Sequence, residues 1–415
     1  MIKCKEILSL PALKDLRLVA GENGLDRNLT WIHISDVPEV AEYVQGGELL
    51  FTTGLYIRND AEKWIKLIQK INEKNLAGLV INVGPYIDDI PFEVAKCAES
   101  LDFPLFKLPW DVKLVEVTKE ICDYIIKRRI EERNKNELLE NILFGDFDAN
   151  ENEILFSKAE YYGYKLDQRH CIVIVDIDNF GEFLKKHDIK EEQTITEIKY
   201  KLQQIVTNTF EEFNKKFLWI FKKDSIILMV RCLENQSEFS LRPILNTIKE
   251  RISQRLKPLT VSIGVGKCYS EISQMQKSFK EAEKALKFAH CIKRGNSIAY
   301  YSEMGVFCLL YEFERHKEKL EEFCKQMLGP LKKYDEENQT ELLKTLEVFL
   351  DENCNMVHSA KKMFIHRSTL MYRLKKIEEI LGIEISNSEN RFNLKLALEV
   401  NKFLDSYRMK ENEYE

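Results

Sequence analysis

Between Leu342 and Leu381 the apolar residues keep a helical period that is broken twice, and those two breaks constrain this stretch more tightly than any other feature of the chain. Leu342, Leu343, Leu346, Phe349 and Leu350 recur at helical spacing, and Asn353-Cys354-Asn355 end the run. A short helix is expected over 356–363, with Val357, Ala360 and Met363 apolar. Phe364-Ile365-His366 then forms a tight turn into a longer helix, Arg367–Leu381. Leu370, Leu374, Ile377 and Leu381 lie at i, i+4, i+7 and i+11 and define a buried face. The other side carries Ser368, Thr369, Tyr372, Lys375 and Lys376, flanked by Arg367 and Arg373.

Two closely joined helices with small Ala360 at the packing point make a helix-turn-helix over 355–381, and a helix shaped this way suits the DNA major groove. Arg bonds guanine O6/N7 bidentately, while Ser, Thr and Lys reach phosphates or base edges. The segment 355–377 holds six Lys or Arg and no acidic residue. The whole chain carries a formal net charge of -6 and repels nucleic acid, so binding must rest on this local excess. Taken alone, a basic amphipathic helix is as consistent with a solvated surface or a protein-binding face.

A length of 415 residues implies two to four domains, and 44% apolar content allows sizeable cores. Residues 1–110 alternate short apolar runs with turn signals such as Gly21-Glu22-Asn23-Gly24, Gly84-Pro85 and Pro104. Leu49-Leu50-Phe51 and Leu79-Val80-Ile81 read as buried strands and 61–74 as a helix, which makes an α/β domain. Residues 111–144 lack Pro and Gly and read as a connecting helix, either dimerising or packed on its own domain. A second α/β unit follows, with strands over 170–176, 217–221, 225–230, 260–265 and 297–301 and helices over 241–256 and 275–293. This order suggests a mixed sheet with helices on one face. From 307 onward the periodicity is helical, and Gly329-Pro330 is the clear breaker before Gly382.

The run Ala360-Lys-Lys-Met-Phe-Ile-His-Arg-Ser-Thr-Leu-Met-Tyr-Arg-Leu-Lys-Lys-Ile377 resembles the C-terminal helix-turn-helix of the PucR/CdaR family, bacterial regulators of purine and sugar-diacid catabolism. The family pattern is close to A-x-x-L-x-[IV]-H-x-N-T-[LV]-x-Y-R-L-x-x-I. Met363 stands where Leu is usual and Ser368 where Asn is usual. Leu16-Arg17-Leu18-Val19-Ala20-Gly21 and Gly46-Gly47-Glu48-Leu49-Leu50-Phe51-Thr52-Thr53-Gly54 resemble the family's N-terminal sensor, and residues near 170–300 its degenerate GGDEF-like domain. The resemblance implies an α/β multidomain chain: a PucR-like sensor over 1–125, a connecting helix over 112–150, a ferredoxin-like, degenerate GGDEF-like domain over 155–303, and an all-α C-terminal domain over 307–415. It also implies a DNA-binding activator of a catabolic operon that answers to a metabolite. A homodimer or higher homo-oligomer is expected, because one short motif gives limited affinity and paired half-sites add to it. The DNA-binding residues are then His366, Arg367, Ser368, Thr369, Tyr372, Arg373, Lys375 and Lys376.

Three further readings bear on chemistry. The loops Gly46-Gly47-Glu48 and Thr52-Thr53-Gly54 combine backbone N–H groups, hydroxyls and a carboxylate, which suits a small polar effector or simply structural turns. Val175-Asp176-Ile177-Asp178-Asn179-Phe180 resembles the metal-binding strand end of diguanylate cyclases, where paired carboxylates hold Mg²⁺. The matching hairpin, Phe221-Lys222-Lys223-Asp224-Ser225, lacks the two glycines and the Glu-Phe pair, so no enzyme is expected; the alternative is a cyclic-dinucleotide enzyme or nucleotide-binding protein. Ten cysteines run from Cys4 to Cys354 with no C-x-x-C pair and no His/Cys clustering, so free thiols, no metal and no cofactor are expected. The N-terminus has no signal-peptide pattern and no apolar run reaches the ~20 residues of a membrane span, so a cytoplasmic protein is expected, off the membrane.

Overall fold

The alternation of apolar runs and turns in the first third builds a five-stranded sheet. The structure, a computed structural model, describes residues 2–145, 149–233 and 236–411. The expected linker (112–150) and helical region (307–415) extend over 146–148 and 412–415, which lie outside the described residues. The chain divides into two compact units, Met1–Asn134 and Lys135–Glu415.

In the first unit β1 (Arg17–Ala20), β2 (Trp31–Ile34), β3 (Glu48–Thr52), β4 (Gly78–Val83) and β5 (Leu105–Pro109) lie in the order β1-β5-β4-β3-β2. Strands β2 to β5 run parallel, and β1 pairs antiparallel with β5. Both faces are covered, which is why β4 is buried at every position. Leu50, Leu79, Ile81 and Leu105 pack under α1 (Ala61–Glu73) and α2 (Phe92–Ser100) through Trp64, Ile68 and Val94. Leu49, Phe51, Val80 and Phe106 pack on the other face against Ile7, Leu13, and Val117, Ile121 and Ile125 of the 31-residue α3 (Leu114–Phe144).

The second unit begins on the last turns of α3, where Leu138, Leu139, Ile142 and Leu143 are buried, and continues through α4 (Ala149–Tyr161), a helix the periodicity does not announce. Its sheet has the order β10-β9-β6-β8-β7: β6 (His170–Ile177), β7 (Phe217–Lys222), β8 (Ser225–Arg231), β9 (Val261–Val265) and β10 (Ile298–Tyr300). Short α5 (Phe180–Lys186) follows β6. The expectation of helices on one face is corrected. α6 (Glu192–Glu212) and α7 (Arg242–Arg255) cover Val173, Val175, Leu228 and Ile263. α8 (Met275–Cys291), α4 and the end of α3 cover Ile172, Ile174, Leu218 and Ile227. The apolar runs of β6 and β8 carry hydrophobic residues at successive positions, and such strands need two covers. Gly264 lets α8 lie close to β9, since a Cβ there would stand 2.2 Å from the Ala282 carbonyl oxygen.

Among the described residues six α-helices follow this sheet: α9 (Phe307–Glu312), α10 (Lys317–Asn338), α11 (Leu342–Asp351), α12 (Met356–Lys362), α13 (Arg367–Leu381) and α14 (Ser388–Glu411). Gly329-Pro330 does not break the helical run: α10 passes through Pro330. Burial of Leu328 and Leu331 on either side of the missing N–H holds the helix across it.

Candidate nucleic-acid interface

The two helices of the motif are set by local caps. The Asn355 side chain accepts from the Val357 and His358 N–H groups at 3.0 and 3.1 Å and starts α12. The His366 ring does the same for α13, accepting from the Ser368 N–H at 3.3 Å while its Nδ1 meets the Ser368 hydroxyl at 2.7 Å. Gly382, left-handed at φ 66°, ends α13 with its N–H on the Glu378 carbonyl. Leu370, Leu374 and Ile377 are buried against Ala360, Leu346 and Phe349, and Leu381 is half-buried. The turn between the helices puts Phe364 at φ 57°, a left-handed position that disfavours bulky side chains, and leaves it 95% exposed.

Six of the eight expected contact residues share the outer side: His366, Arg367, Ser368, Thr369, Tyr372 and Lys375 are exposed. Arg367 and Lys375 have no ion-pair partner among the described residues. The other two turn towards the bundle. Arg373 donates from Nη1 to the Thr345 hydroxyl of α11 at 3.2 Å. Lys376 lies 3.3 Å from the Glu379 carboxylate, whose hydrogen bond holds it above the ordinary lysine range, and 5.7 Å from the Tyr334 ring of α10. Spacing alone missed Met371, 60% exposed between Arg367 and Lys375, and exposed Lys361 on α12. It also missed Arg391, whose guanidinium caps the Ile385 and Ser386 carbonyls beside an open hollow lined by Arg367 and Lys375. The absence of acid over 355–377 already pointed to Lys361; nothing in the sequence pointed to Arg391.

The residues expected to hold an effector are not brought together. Gly46, Gly47 and Glu48 lie at the amino end of β3, where the Glu48 carboxylate accepts from the Gln45 and Gly46 N–H groups at 2.8 and 2.7 Å. Thr52 and Thr53 lie at its carboxyl end, roughly 13 Å away at the rise of a strand. Asp36 binds both of them: its Oδ1 accepts from the Thr52 hydroxyl (2.9 Å), the Thr53 N–H (2.6 Å) and the Thr53 hydroxyl (2.8 Å).

Comparison with known proteins matches residues 6–125 to the purine catabolism regulatory protein-like family, 146–288 to the GGDEF-like domain and 342–400 to the PucR C-terminal helix-turn-helix domain. The purine catabolism regulatory protein of Bacillus subtilis is 22% identical over 96% of this chain and 99% of its own. The chain belongs to the PucR family of DNA-binding transcription regulators. Two other Bacillus subtilis relatives are the proline-responsive transcriptional activator PutR, 28% identical over 72% of this chain and 68% of its own, and the activator AdeR, 31% identical over 37% and 36%. No helix among the described residues is long and apolar enough to cross a membrane.

In this PucR-family chain the carboxylate pair of the GGDEF-like domain is turned inward. Asp176 accepts from the Ser225 hydroxyl across the sheet. Asp178 accepts from the Thr260 and Ser262 hydroxyls, both at 2.6 Å, and from the Asn296 N–H at 2.9 Å. The His290 Nε2, on α8, stands 3.5 Å from Asp176 and 3.4 Å from Asp178, in the space between the carboxylates that a cation would need. Burial pushes the Asp176 carboxyl above the ordinary range against the Ser225 hydrogen bond. Burial acts the same way on Asp178, but His290, Ser262, Thr260 and Asn296 together outweigh it and hold that carboxyl below the ordinary range. The hairpin opposite turns through Lys223, at φ 55°, and Asp224.

Proposed function

We propose that this regulator reads operator DNA with the outer side of α13 and activates catabolic genes when its N-terminal domain holds a small metabolite. One observation carries the reading: α13 is anchored by Leu370, Leu374 and Ile377, while Arg367 and Lys375 stand exposed and unpaired among the described residues. Arg367 takes the base-edge role, and Ser368, Thr369 and Lys375 reach phosphates or base edges. Tyr372 and His366 border the same surface; Arg373 and Lys376 support it from the side. A single motif buries little surface, so a homodimer on paired half-sites supplies the remaining affinity.

The effector site belongs at the carboxyl edge of the parallel strands β2 to β5, where α/β sheets hold ligands and where Asp36, Thr52 and Thr53 lie. Relatives named for purine catabolism and for proline support a nitrogen-containing metabolite. The GGDEF-like domain is assigned no catalysis, because its carboxylates are already engaged and its hairpin cannot admit a nucleotide closely. Mapping the genomic sites the protein occupies, followed by titration of one such site against random DNA at several salt concentrations, tests the reading. Specific binding at least about 1,000-fold tighter than random, weakening steeply with salt, is expected; equal affinity for both would overturn it.

A further inference from the structure

Three cysteines separated by 61 and 36 residues meet in the second unit, against the expectation of scattered thiols. Cys171 enters on β6, Cys232 follows β8, and Cys268 follows β9. The Cys232 Sγ lies 2.7 Å from that of Cys268 and 3.6 Å from that of Cys171, and all three sulfurs fall within 4.8 Å of one another. Among the described residues no carboxylate oxygen or imidazole nitrogen joins them within that radius. Cys171 and Cys232 are buried, and Cys268 is half-buried as a residue.

We propose that Cys171, Cys232 and Cys268 form a three-thiolate site for a soft d¹⁰ cation, with Cu(I) as the best fit. Hard cations such as Mg²⁺ and Ca²⁺ need oxygen donors that this cluster lacks. Thiolates select Cu(I) or Zn(II), and structural Zn(II) takes four protein donors, whereas three are present among the described residues. Metal–sulfur bonds of about 2.3 Å in a trigonal plane put the sulfurs about 4 Å apart. The cluster reaches that by small side-chain rotations, mainly an opening of the Cys232–Cys268 contact. Cys232 sits between the other two. Metal entry displaces the protons of the thiols it binds.

The site ties together three strand ends that are far apart in sequence, so occupancy must stabilise the fold as well as bind the ion. The full chain, reduced under argon, is titrated with Cu(I) held by a bicinchoninate competitor, and with Zn(II) in parallel. One Cu(I) per chain, a thiolate-to-copper absorption in the near ultraviolet and a Tm rise of roughly 5–10 °C are expected. Cys268→Ser, at the half-buried position, loses at least about 100-fold in affinity, whereas Cys97→Ser, in the first unit, binds as the parent does. The metal-free melting curve of Cys268→Ser shows that its fold is intact; Cys232→Ala provides a second variant should Cys268→Ser unfold. Trio-dependent binding of Zn(II) in preference to Cu(I) would overturn the three-coordinate assignment. Absence of stoichiometric metal, binding indifferent to both substitutions, or a Cys232–Cys268 disulfide as the only product of the thiols overturns the site itself.

Discussion

The outer side of α13 and the carboxylate pair at the end of β6 are both polar clusters flanked by well-packed apolar faces, yet they treat their polar groups in opposite ways. On α13, Arg367 and Lys375 meet no internal counter-charge among the described residues. At the end of β6, Ser225, Thr260, Ser262, Asn296 and His290 surround two carboxylates with internal partners. A surface kept for a partner leaves its donors to water until the partner arrives. A site converted to scaffold satisfies its charged groups from within, because buried charge without partners costs several kcal/mol. The same residue types therefore mark an interface in one place and a structural knot in the other, and their hydrogen bonding tells the two apart.

The comparison depends first on which way α13 faces. Leu370 is completely buried, so Leu370→Ala should cost about 2–5 kcal/mol of stability, read by denaturant unfolding of the full chain. An unchanged unfolding midpoint would mean that the helix is rotated and that its charged side is the packed one.

The structural knot makes a paired prediction. Asp178 is held below its ordinary range, so its stabilisation is complete above the unfolded-chain pKa of about 3.9 and is lost as pH falls through its lower folded value. Asp176 is shifted the other way, so its favourable contribution exists at low pH and disappears as pH rises through its raised value. At neutral pH Asp178→Asn should therefore cost about 1.5–3 kcal/mol, as expected for losing hydrogen bonds to a charged group. Asp176→Asn should change stability little or raise it. Thermal melts at pH 7 and pH 4 separate the two; equal losses at pH 7 would return both residues to the same role.

Arg367→Ala probes the interface side of the comparison. A loss of about 1–3 kcal/mol on the specific operator is expected, with thermal stability unchanged, since the side chain has no internal partner to lose. The same loss on random DNA would demote Arg367 from base reader to phosphate contact.

How much of this was legible in the sequence depends on how local the cause is. Asn355, His366 and Gly382 act within four residues, and the leucine spacing of α13 acts within one helix, so the motif could be read directly. The strands around Leu49–Phe51 and Leu79–Ile81 were legible because both faces of the sheet are apolar. Pro330 misled because burial of Leu328 and Leu331 overrides a local breaker. The second cover of the middle sheet and the meeting of Cys171, Cys232 and Cys268 depend on strand order, which no spacing encodes. Gly46-Gly47-Glu48 and Thr52-Thr53 are close in sequence, yet an extended strand puts its two ends furthest apart.

Arg373 and Lys376 show the same limit on a finer scale, and they supply the smallest effect. A helical wheel puts Lys375 and Lys376 on one outward arc; the neighbouring helices separate them. Lys375 is exposed and unpaired among the described residues, whereas Lys376 lies beside Glu379 and over the Tyr334 ring. If phosphate contact requires a free ammonium, Lys375→Ala should reduce the slope of log affinity against log salt by about 1 on any duplex. Lys376→Ala should leave that slope nearly unchanged and should alter stability little, because exposed ion pairs contribute little. Equal slopes for the two variants would show that Lys376 swings out to the phosphates when DNA arrives. The boundary between interface and scaffold would then lie one residue further round α13.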